Sequence, residues 1–383
     1  MSTMDKFDVA VVGQGVLGSA AAYYAARKGT KVVAFEQFEF GHVRGASHDT
    51  SRIVRTSNHA PEYVSLAKSA YEDWADVEKA CGQELLTITG GVVFFTEDSP
   101  QTASDFTGSL EAHGVPYELL NAEEVKRRWP QFEIPDSVQT VYTPDTGIAH
   151  AAKSVSAFQY LARSHGGTLK DNTRVVRITP TPTGSIIDTS KGSFNATKVI
   201  LATDAWANEL LGPLGVHIPL SVMQEQVTYF KPSDAALFEA DHFPVWIWKG
   251  DKSFYGFPCY GEPTIKAGRD TSNNFMTPAQ RTYVHSPELF DQLTTFMKGF
   301  VPDEHRQPLR TITCQYTITP DRQFIISPLK RHPDVILGLG AAHAFKFAPA
   351  FGRVLAELAI DGKTNEDISK FGIPKVVIDT SKI

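Results

Sequence analysis

The sequence is poor in cysteine, and it has neither a long apolar run nor a cluster of basic residues. Its three cysteines (Cys81, Cys259 and Cys314) are odd in number and far apart. This argues against a disulfide framework and favours a reducing compartment. The short apolar run near the N-terminus matches neither a signal peptide nor a membrane-spanning helix. The net charge of −6 and the scattered Lys and Arg residues offer no basic surface. We therefore expect no nucleic-acid partner and no membrane partner.

The C-terminal tripeptide leaves the compartment open between two alternatives. Ser381-Lys382-Ile383 differs by one conservative change from the peroxisomal Ser-Lys-Leu address. The low cysteine content is typical of a cytoplasmic protein, which is the first expectation. A peroxisomal location is the alternative.

The first forty residues have the pattern of a dinucleotide-binding unit. An apolar strand leads into the loop Gly13-Gln14-Gly15-Val16-Leu17-Gly18, and an alanine-rich helix and a second strand ending at Glu36 follow. Gly13 permits the tight turn, Gly15 lets the backbone approach a pyrophosphate, and Gly18 lets the helix pack close to the strand. Glu36 can accept hydrogen bonds from ribose hydroxyls, and an acid at this position argues against the 2′-phosphate of NADP.

The remaining pattern predicts two domains that alternate along the chain. With 383 residues and 42% hydrophobic content, the chain is long enough for about two cores. Residues 215–315 are rich in strands, aromatics and turns, typical of an antiparallel sheet that covers a pocket, whereas the last seventy residues return to an α/β pattern. We predict an α/β Rossmann-like nucleotide domain assembled from discontinuous segments, plus a substrate domain with a mixed or antiparallel sheet. The nucleotide domain comprises residues 1–85, 150–215 and 315–383, and the substrate domain comprises residues 86–149 and 216–314.

Several further motifs follow the glycine loop in a fixed order. They are Asp49-Thr50-Ser51-Arg52-Ile53-Val54-Arg55, Tyr255-Gly256-Phe257-Pro258, Lys266, Thr313-Cys314-Gln315-Tyr316-Thr317, Asp321-Arg322-Gln323-Phe324-Ile325-Ile326 and His343-Ala344-Phe345-Lys346-Phe347. Together with the glycine loop and Glu36, these motifs resemble the monomeric sarcosine oxidase family, which includes N-methyltryptophan oxidase and fructosyl amino acid oxidases. The similarity spans nearly the full chain.

The resemblance implies that the dinucleotide is FAD. It also implies a covalent bond from the sulfur of Cys314 to the 8α-methyl group of the flavin, because Cys314 occupies the position of the attaching cysteine. Cys81 and Cys259 are expected to be ordinary small apolar residues. No metal site is expected. The FAD-contacting residues implied by the resemblance and by the glycine loop are Gly13, Gly15, Gly18, Glu36, Ser51, Arg52, Val175, Cys314 and Lys346.

The resemblance also implies roles for residues in the substrate pocket. Arg55 and Lys346 match the pair that binds the substrate carboxylate, and Lys266 matches the lysine that helps oxygen react. Arg52 and His343 match residues beside the flavin ring. Tyr255 and Tyr316 match tyrosines of the pocket wall, and each could instead be an ordinary core residue.

The sequence departs from this family at positions around the pocket. Arg269-Asp270 replaces a family histidine, and Ala46-Ser47-His48 replaces a Gly-containing pair of histidines. These changes leave the flavin chemistry intact and leave the N-substituent of the amine open. We expect a monomeric oxidase that uses O2 and a carboxylate-bearing amine, either an N-methyl or cyclic secondary amino acid or a fructosyl amino acid whose sugar meets Asp270. A dehydrogenase with another electron acceptor, and a flavin-binding protein without catalysis, are the remaining alternatives.

Overall fold

The structure, a computed structural model, describes residues 5–375, so the Ser381-Lys382-Ile383 ending lies outside the described residues. Within this range the strands are β1 (Lys6–Val12), β2 (Val32–Phe35), β3 (Arg52–Val54), β4 (Leu86–Ile88), β5 (Gly91–Phe95), β6 (Glu118–Leu120), β7 (Gln139–Thr143), β8 (Gly147–Ala149), β9 (Thr168–Lys170), β10 (Val175–Thr181), β11 (Gly184–Thr189), β12 (Gly192–Leu201), β13 (Ser221–Lys231), β14 (Val245–Lys249), β15 (Ser253–Phe257), β16 (Ile265–Asp270), β17 (Gln307–Ile318), β18 (Ile325–Pro328) and β19 (Val335–Leu339).

The helices begin and end where the sequence supplies capping groups. Helix α2 has Pro61 at its first position and ends at Gly82, which has a φ of 67°. Helix α5 begins at Ala151, where the side chain of His150 accepts a hydrogen bond from the Lys153 N–H. The α-helices are α1 (Val16–Arg27), α2 (Pro61–Cys81), α3 (Ala103–Ala112), α4 (Ala122–Arg128), α5 (Ala151–Ser164), α6 (Ala207–Leu211), α7 (Pro287–Phe300) and α8 (Ala348–Ile360).

The first sheet contains the nucleotide-binding unit. Strands β19, β12, β1, β2 and β9 lie parallel in that order, while β18 and the β10–β11 hairpin extend the sheet in antiparallel fashion. Helices α1, α5 and α8 pack one face in a shared apolar cluster. Strands β2 and β19 and the last residues of β1 and β12 are continuous buried apolar runs, with apolar clusters on both faces of the sheet.

The second sheet is mixed and has the order β17-β13-β16-β15-β14-β5-β7-β6. All its pairs are antiparallel except β14 with β5. Strand β17 continues to Ile318 and pairs with β13 throughout, so residues 315–318 belong to this sheet rather than to the first one. The predicted fold class, an α/β domain plus a domain with a mixed sheet, is confirmed. The exact domain limits stay a prediction.

A small three-stranded sheet, β3-β8-β4, lies between these two. It places Arg52 and Arg55, at the start and just after the end of β3, next to the second sheet. None of the helices in residues 5–375 combines the length and the apolar character needed to cross a membrane.

Candidate active site

The glycine loop takes the geometry that the sequence predicts. Gly13 has a φ of 90°, and Gly15 is the residue before the first turn of α1, which carries no acidic side chain. The N-terminus of α1 is therefore suited to an anion such as a pyrophosphate. The buried Glu36 carboxylate accepts hydrogen bonds from the N–H groups of Gln14 (2.9 Å) and Phe38 (3.1 Å). Burial raises the pKa of Glu36, but His42 and these two N–H groups outweigh burial and lower it.

Replacing Gly18 with alanine is expected to reduce FAD incorporation about tenfold. A Cβ atom at this position would lie 1.9 Å from the carbonyl oxygen of Gly13, so the loop must move. Overpacking of this kind costs about 1–3 kcal/mol, and roughly 1.4 kcal/mol is a factor of ten in an equilibrium. The ratio of flavin to protein absorbance measures the effect. Gly108→Ala, whose added Cβ meets nothing within 4 Å, is the matched control. Equal flavin content in both variants would contradict the assignment of this loop.

A single large cavity runs from the glycine loop to the second sheet. Its volume is about 890 Å³, near the upper end of the roughly 300–1,000 Å³ typical of ligand sites. Four buried polar atoms of residues lining it have no hydrogen-bond partner within the described part of the chain: Gln14 Oε1, His48 Nε2, Asn58 Nδ2 and Thr203 Oγ1. Buried polar groups are normally satisfied, so these atoms fit a long polar ligand. Together with the glycine loop and Glu36, they fit FAD.

The second sheet lines the other end of the cavity with alternate residues of its strands. On β17 these are Ile312, Cys314, Tyr316 and Ile318, which lie on one face because successive side chains point to opposite faces. Strands β14, β15 and β16 contribute residues to the same face, among them Ile247, Lys249, Tyr255, Phe257, Lys266 and Asp270.

Lys266 is a buried ammonium with a full set of acceptors. Its Nζ donates to Asp49 Oδ2 at 2.5 Å, to Ser51 Oγ at 3.0 Å and to the Ser51 carbonyl oxygen at 3.2 Å. Burial lowers the pKa of Lys266 to about 8, although Asp49 opposes this shift. Burial raises the pKa of Asp49, but Lys266 and a hydrogen bond from Tyr229 outweigh burial and lower it to about 2. At neutral pH the two groups form a buried ion pair.

Arg52 organises the loop that precedes it. Its guanidinium donates to the carbonyl oxygens of Ala46, His48 and Ser51 at 2.8–2.9 Å, so residues 46–52 fold around it. Its Nη2 also lies 3.9 Å from Cys314 Sγ. The structure thus brings Arg52, Ser51 and Cys314 together on the cavity wall. Val175, at the start of β10, lines the same cavity near the glycine loop.

Arg55 and Lys346 meet at the far end of the cavity. Arg55 donates weakly to Ser57 Oγ at 3.4 Å, and Lys346 Nζ donates to the His343 carbonyl oxygen at 2.7 Å. Within residues 5–375 no carboxylate forms an ion pair with either side chain. Burial lowers the pKa of Arg55 to about 10, and burial and Arg55 together lower the pKa of Lys346. Two buried cations without a carboxylate partner in this part of the chain favour an anionic ligand.

Asp270 and His343 lie between these cations and the tyrosines. Asp270 Oδ1 is 3.5 Å from His343 Nε2. Burial lowers the pKa of His343 to about 4, so the imidazole is neutral at physiological pH. Burial raises the pKa of Asp270, but His343, Lys249, Arg322 and Lys346 outweigh burial and lower it.

The two predicted tyrosines lie beside this group. Tyr316 packs edge-on against His343 with ring centroids 5.4 Å apart, and Tyr255 lines the cavity from β15. Burial raises the pKa of Tyr255 and of Tyr316, so both hydroxyls remain protonated.

Three residues in or beside the site had no role predicted from the sequence: Asp49, Tyr229 and Lys249. Asp49 is the first residue of the motif Asp49-Thr50-Ser51-Arg52-Ile53-Val54-Arg55. Only the fold shows that it contacts Lys266, which is 217 residues away in the sequence. Lys249 is the last residue of the strand Val245-Trp246-Ile247-Trp248-Lys249. Because successive side chains of a strand point to opposite faces, Lys249 shares a face with Val245 and Ile247. The sequence could not show which face lines the cavity.

The chain is similar to known flavoenzymes over almost its whole length. The family model described as "FAD dependent oxidoreductase" matches residues 8–358. A monomeric sarcosine oxidase from Bacillus sp. (strain NS-129) is 32% identical and covers 97% of both chains. The peroxisomal sarcosine oxidase of Homo sapiens is 29% identical over 97% of this chain and 96% of that one. The solved structure of NikD, an unusual amino acid oxidase of nikkomycin biosynthesis, is 26% identical, has a TM-score of 0.84 and covers 98% of this chain and 99% of that one.

The family match, the glycine loop and the cavity lead to the same assignment. The matched segment includes the loop, Glu36 and every residue of the pocket described above. The chain therefore belongs to the family of FAD-dependent oxidoreductases.

Proposed function

We propose that the protein oxidises the C–N bond of a small secondary amine that carries a carboxylate, with O2 as the electron acceptor. The observation that carries this proposal is the pair of buried cations, Arg55 and Lys346, which line the cavity and lack a carboxylate partner in the described chain. The sarcosine oxidases among the relatives support the same class of substrate. The relatives named monomeric sarcosine oxidase support a monomer.

Bound FAD would supply the redox chemistry, taking a hydride from the carbon next to the substrate nitrogen and passing two electrons to O2 to give hydrogen peroxide. The chain supplies binding and electrostatics. Arg55 and Lys346 would hold the carboxylate, and Tyr255 and Tyr316 would enclose the amine. The nearby cations disfavour a protonated amine, so the substrate binds in the neutral form that can release a hydride. The resulting imine hydrolyses in water.

Lys266 would serve the oxygen half of the reaction. Electron transfer to O2 creates negative charge on oxygen, and a fixed ammonium stabilises that charge most effectively in a water-poor site. The side chain of Lys266 is only 4% exposed, and its three hydrogen bonds hold it in place. This feature supports an oxidase over a dehydrogenase with another acceptor.

The sarcosine oxidases among the relatives favour an amino acid over a sugar-substituted amine. Measuring hydrogen peroxide with sarcosine, pipecolate and fructosyl-glycine tests the proposal. We expect one peroxide and one aldehyde per sarcosine consumed, or one peroxide per pipecolate. Peroxide from fructosyl-glycine alone would establish the deglycating alternative, and activity only with an artificial acceptor would establish a dehydrogenase.

We further propose that FAD is attached to the protein by a thioether bond from Cys314 Sγ to the flavin 8α-methyl group. The S–H bond and one 8α C–H bond would be broken, and the two electrons released would reduce the flavin, which O2 would reoxidise. Cys314 lines the cavity, and its Sγ lies 3.9 Å from Arg52 Nη2. Acid precipitation should leave the yellow chromophore on the wild-type protein and release it from Cys314→Ala. Cys259→Ala, at a thiol whose pKa burial raises to about 11, should retain it. Release of FAD from the wild type would contradict the covalent bond without affecting the proposed reaction.

A further inference from the structure

Lys249 is a cation of the cavity to which the proposed function gives no role. It is the last residue of β14 and shares one face with Val245 and Ile247. Trp246 and Trp248 point to the opposite face and pack in an apolar cluster with Phe254 and Phe300. Ile247 and Lys249 both line the cavity. The strand therefore directs the Lys249 side chain toward the substrate region.

The carboxylate nearest in the sheet, Asp270, is not an ion-pair partner of Lys249. The β15–β16 register places Ser253 opposite Asp270, and continuing the β14–β15 register places Lys249 opposite Ser253. Lys249 and Asp270 are thus two strand spacings apart, or about 10 Å along the sheet. Within residues 5–375 no carboxylate lies at ion-pair distance from Lys249. Burial lowers the pKa of Lys249, Arg55 and Arg322 add to that effect, and Asp270 opposes it.

The charges at this end of the cavity do not balance for a substrate with one carboxylate. Besides the Lys266–Asp49 ion pair, and besides Arg52, whose guanidinium is bound by loop carbonyl oxygens, four cations of the described chain line this end: Arg55, Lys249, Arg322 and Lys346. Two carboxylates line it as well, Asp270 and Asp321. One substrate carboxylate on a neutral amine leaves one positive charge unmatched, whereas a second carboxylate matches it. A sugar substituent brings no charge and leaves the imbalance unchanged.

We propose that Lys249 binds a second carboxylate of the substrate, so that the enzyme prefers a secondary amine bearing two acidic groups. This inference rests on the proposed function, in which Arg55 and Lys346 hold the first carboxylate. The second carboxylate lies either on the N-substituent or on the carbon chain of the amino acid. Both positions present the same chemistry to Lys249, and the choice of probes distinguishes them.

Thioether analogues test this preference without turnover, because sulfur in place of the nitrogen cannot form an imine. (Methylthio)acetate carries one carboxylate, thiodiglycolate carries a second one across the sulfur, and (methylthio)succinate carries a second one on the carbon chain. Dissociation constants come from titration calorimetry on the holoenzyme. We expect one of the dianions to bind about tenfold tighter than (methylthio)acetate, equivalent to roughly 1.4 kcal/mol for one partly buried charge pair. The tighter dianion identifies the position of the second acid.

Variants of Lys249 show whether this residue is responsible. In Lys249→Met the ratio of the two dissociation constants should fall to about one, and in Lys249→Arg it should persist. Lys252→Met removes the same charge three residues away on an exposed loop and should keep the wild-type ratio. Equal binding of monoanion and dianion by the wild type, or an undiminished preference in Lys249→Met, would overturn this inference and leave the proposed function standing. Failure of all three thioethers to bind would count against the carboxylate-bearing substrate itself.

Discussion

Replacing Lys266 with methionine is expected to slow the reaction of the reduced enzyme with O2 by about 10²–10³-fold, the loss typical of removing one preorganised electrostatic group. Reduction of the enzyme by substrate under anaerobic conditions should change far less, because Arg55 and Lys346 rather than Lys266 face the carboxylate. Methionine has a similar length and no charge, so the packing of β16 is largely kept. Stopped-flow mixing of the pre-reduced enzyme with oxygenated buffer measures the effect.

The pH dependence of the same step provides an independent check. Lys266 has its pKa lowered to about 8, so the oxygen reaction should slow as pH rises through about 8 and the ammonium loses its proton. Asp49 raises this pKa, so Asp49→Asn should move the decline to lower pH. Lys266→Arg keeps the charge and should retain most of the rate with no decline in this range. An oxygen reaction in Lys266→Met as fast as in the wild type would remove Lys266 from the mechanism.

Replacing Arg55 with alanine is expected to raise the dissociation constant of a carboxylate-bearing substrate by about 30- to 1,000-fold. Truncating one partner of a buried charged pair costs about 2–4 kcal/mol, and each 1.4 kcal/mol is tenfold. Lys346 alone would then face the carboxylate. The concentration dependence of anaerobic reduction by sarcosine gives this constant for the wild type and the variant.

The neutral analogue sarcosinamide separates a lost charge contact from general damage to the pocket. Because the amide carries no negative charge, Arg55→Ala should weaken its binding much less than that of sarcosine. Equal losses for both compounds would mean that Arg55 supports the shape of the pocket and does not recognise the carboxylate. The ring of Phe106 is 5.7 Å from the Arg55 guanidinium, so the control is needed.

The nucleotide-binding end could be predicted from the sequence because its chemistry is local. The turn at Gly13, the close packing at Gly18 and the acid at Glu36 lie within one continuous unit of strand, helix and strand, and the backbone geometry follows from the glycines themselves. The resemblance to a family then supplied Arg55, Lys266 and Lys346, which the structure brings to one cavity.

The arrangement of charges in the pocket could not be predicted, because it depends on strand register between distant segments. Asp49 meets Lys266 only when the loop before β3 folds over β16. Lys249 and Asp270 share a sheet face because β14, β15 and β16 pair in one particular register, and a shift by one residue would turn either side chain away. Neither the Asp49–Lys266 contact nor the register of β14, β15 and β16 can be predicted from a single sequence.

Anaerobic absorbance spectroscopy with separate additions of sarcosine, pipecolate and fructosyl-glycine tests the central claim, an amine oxidase for secondary amino acids, most directly. We expect sarcosine or pipecolate to bleach the flavin absorbance, and we expect admission of O2 to restore it with formation of hydrogen peroxide. Bleaching by fructosyl-glycine alone, or by none of the three compounds, would contradict the proposed substrate class. Bleaching that O2 fails to reverse would contradict the oxidase.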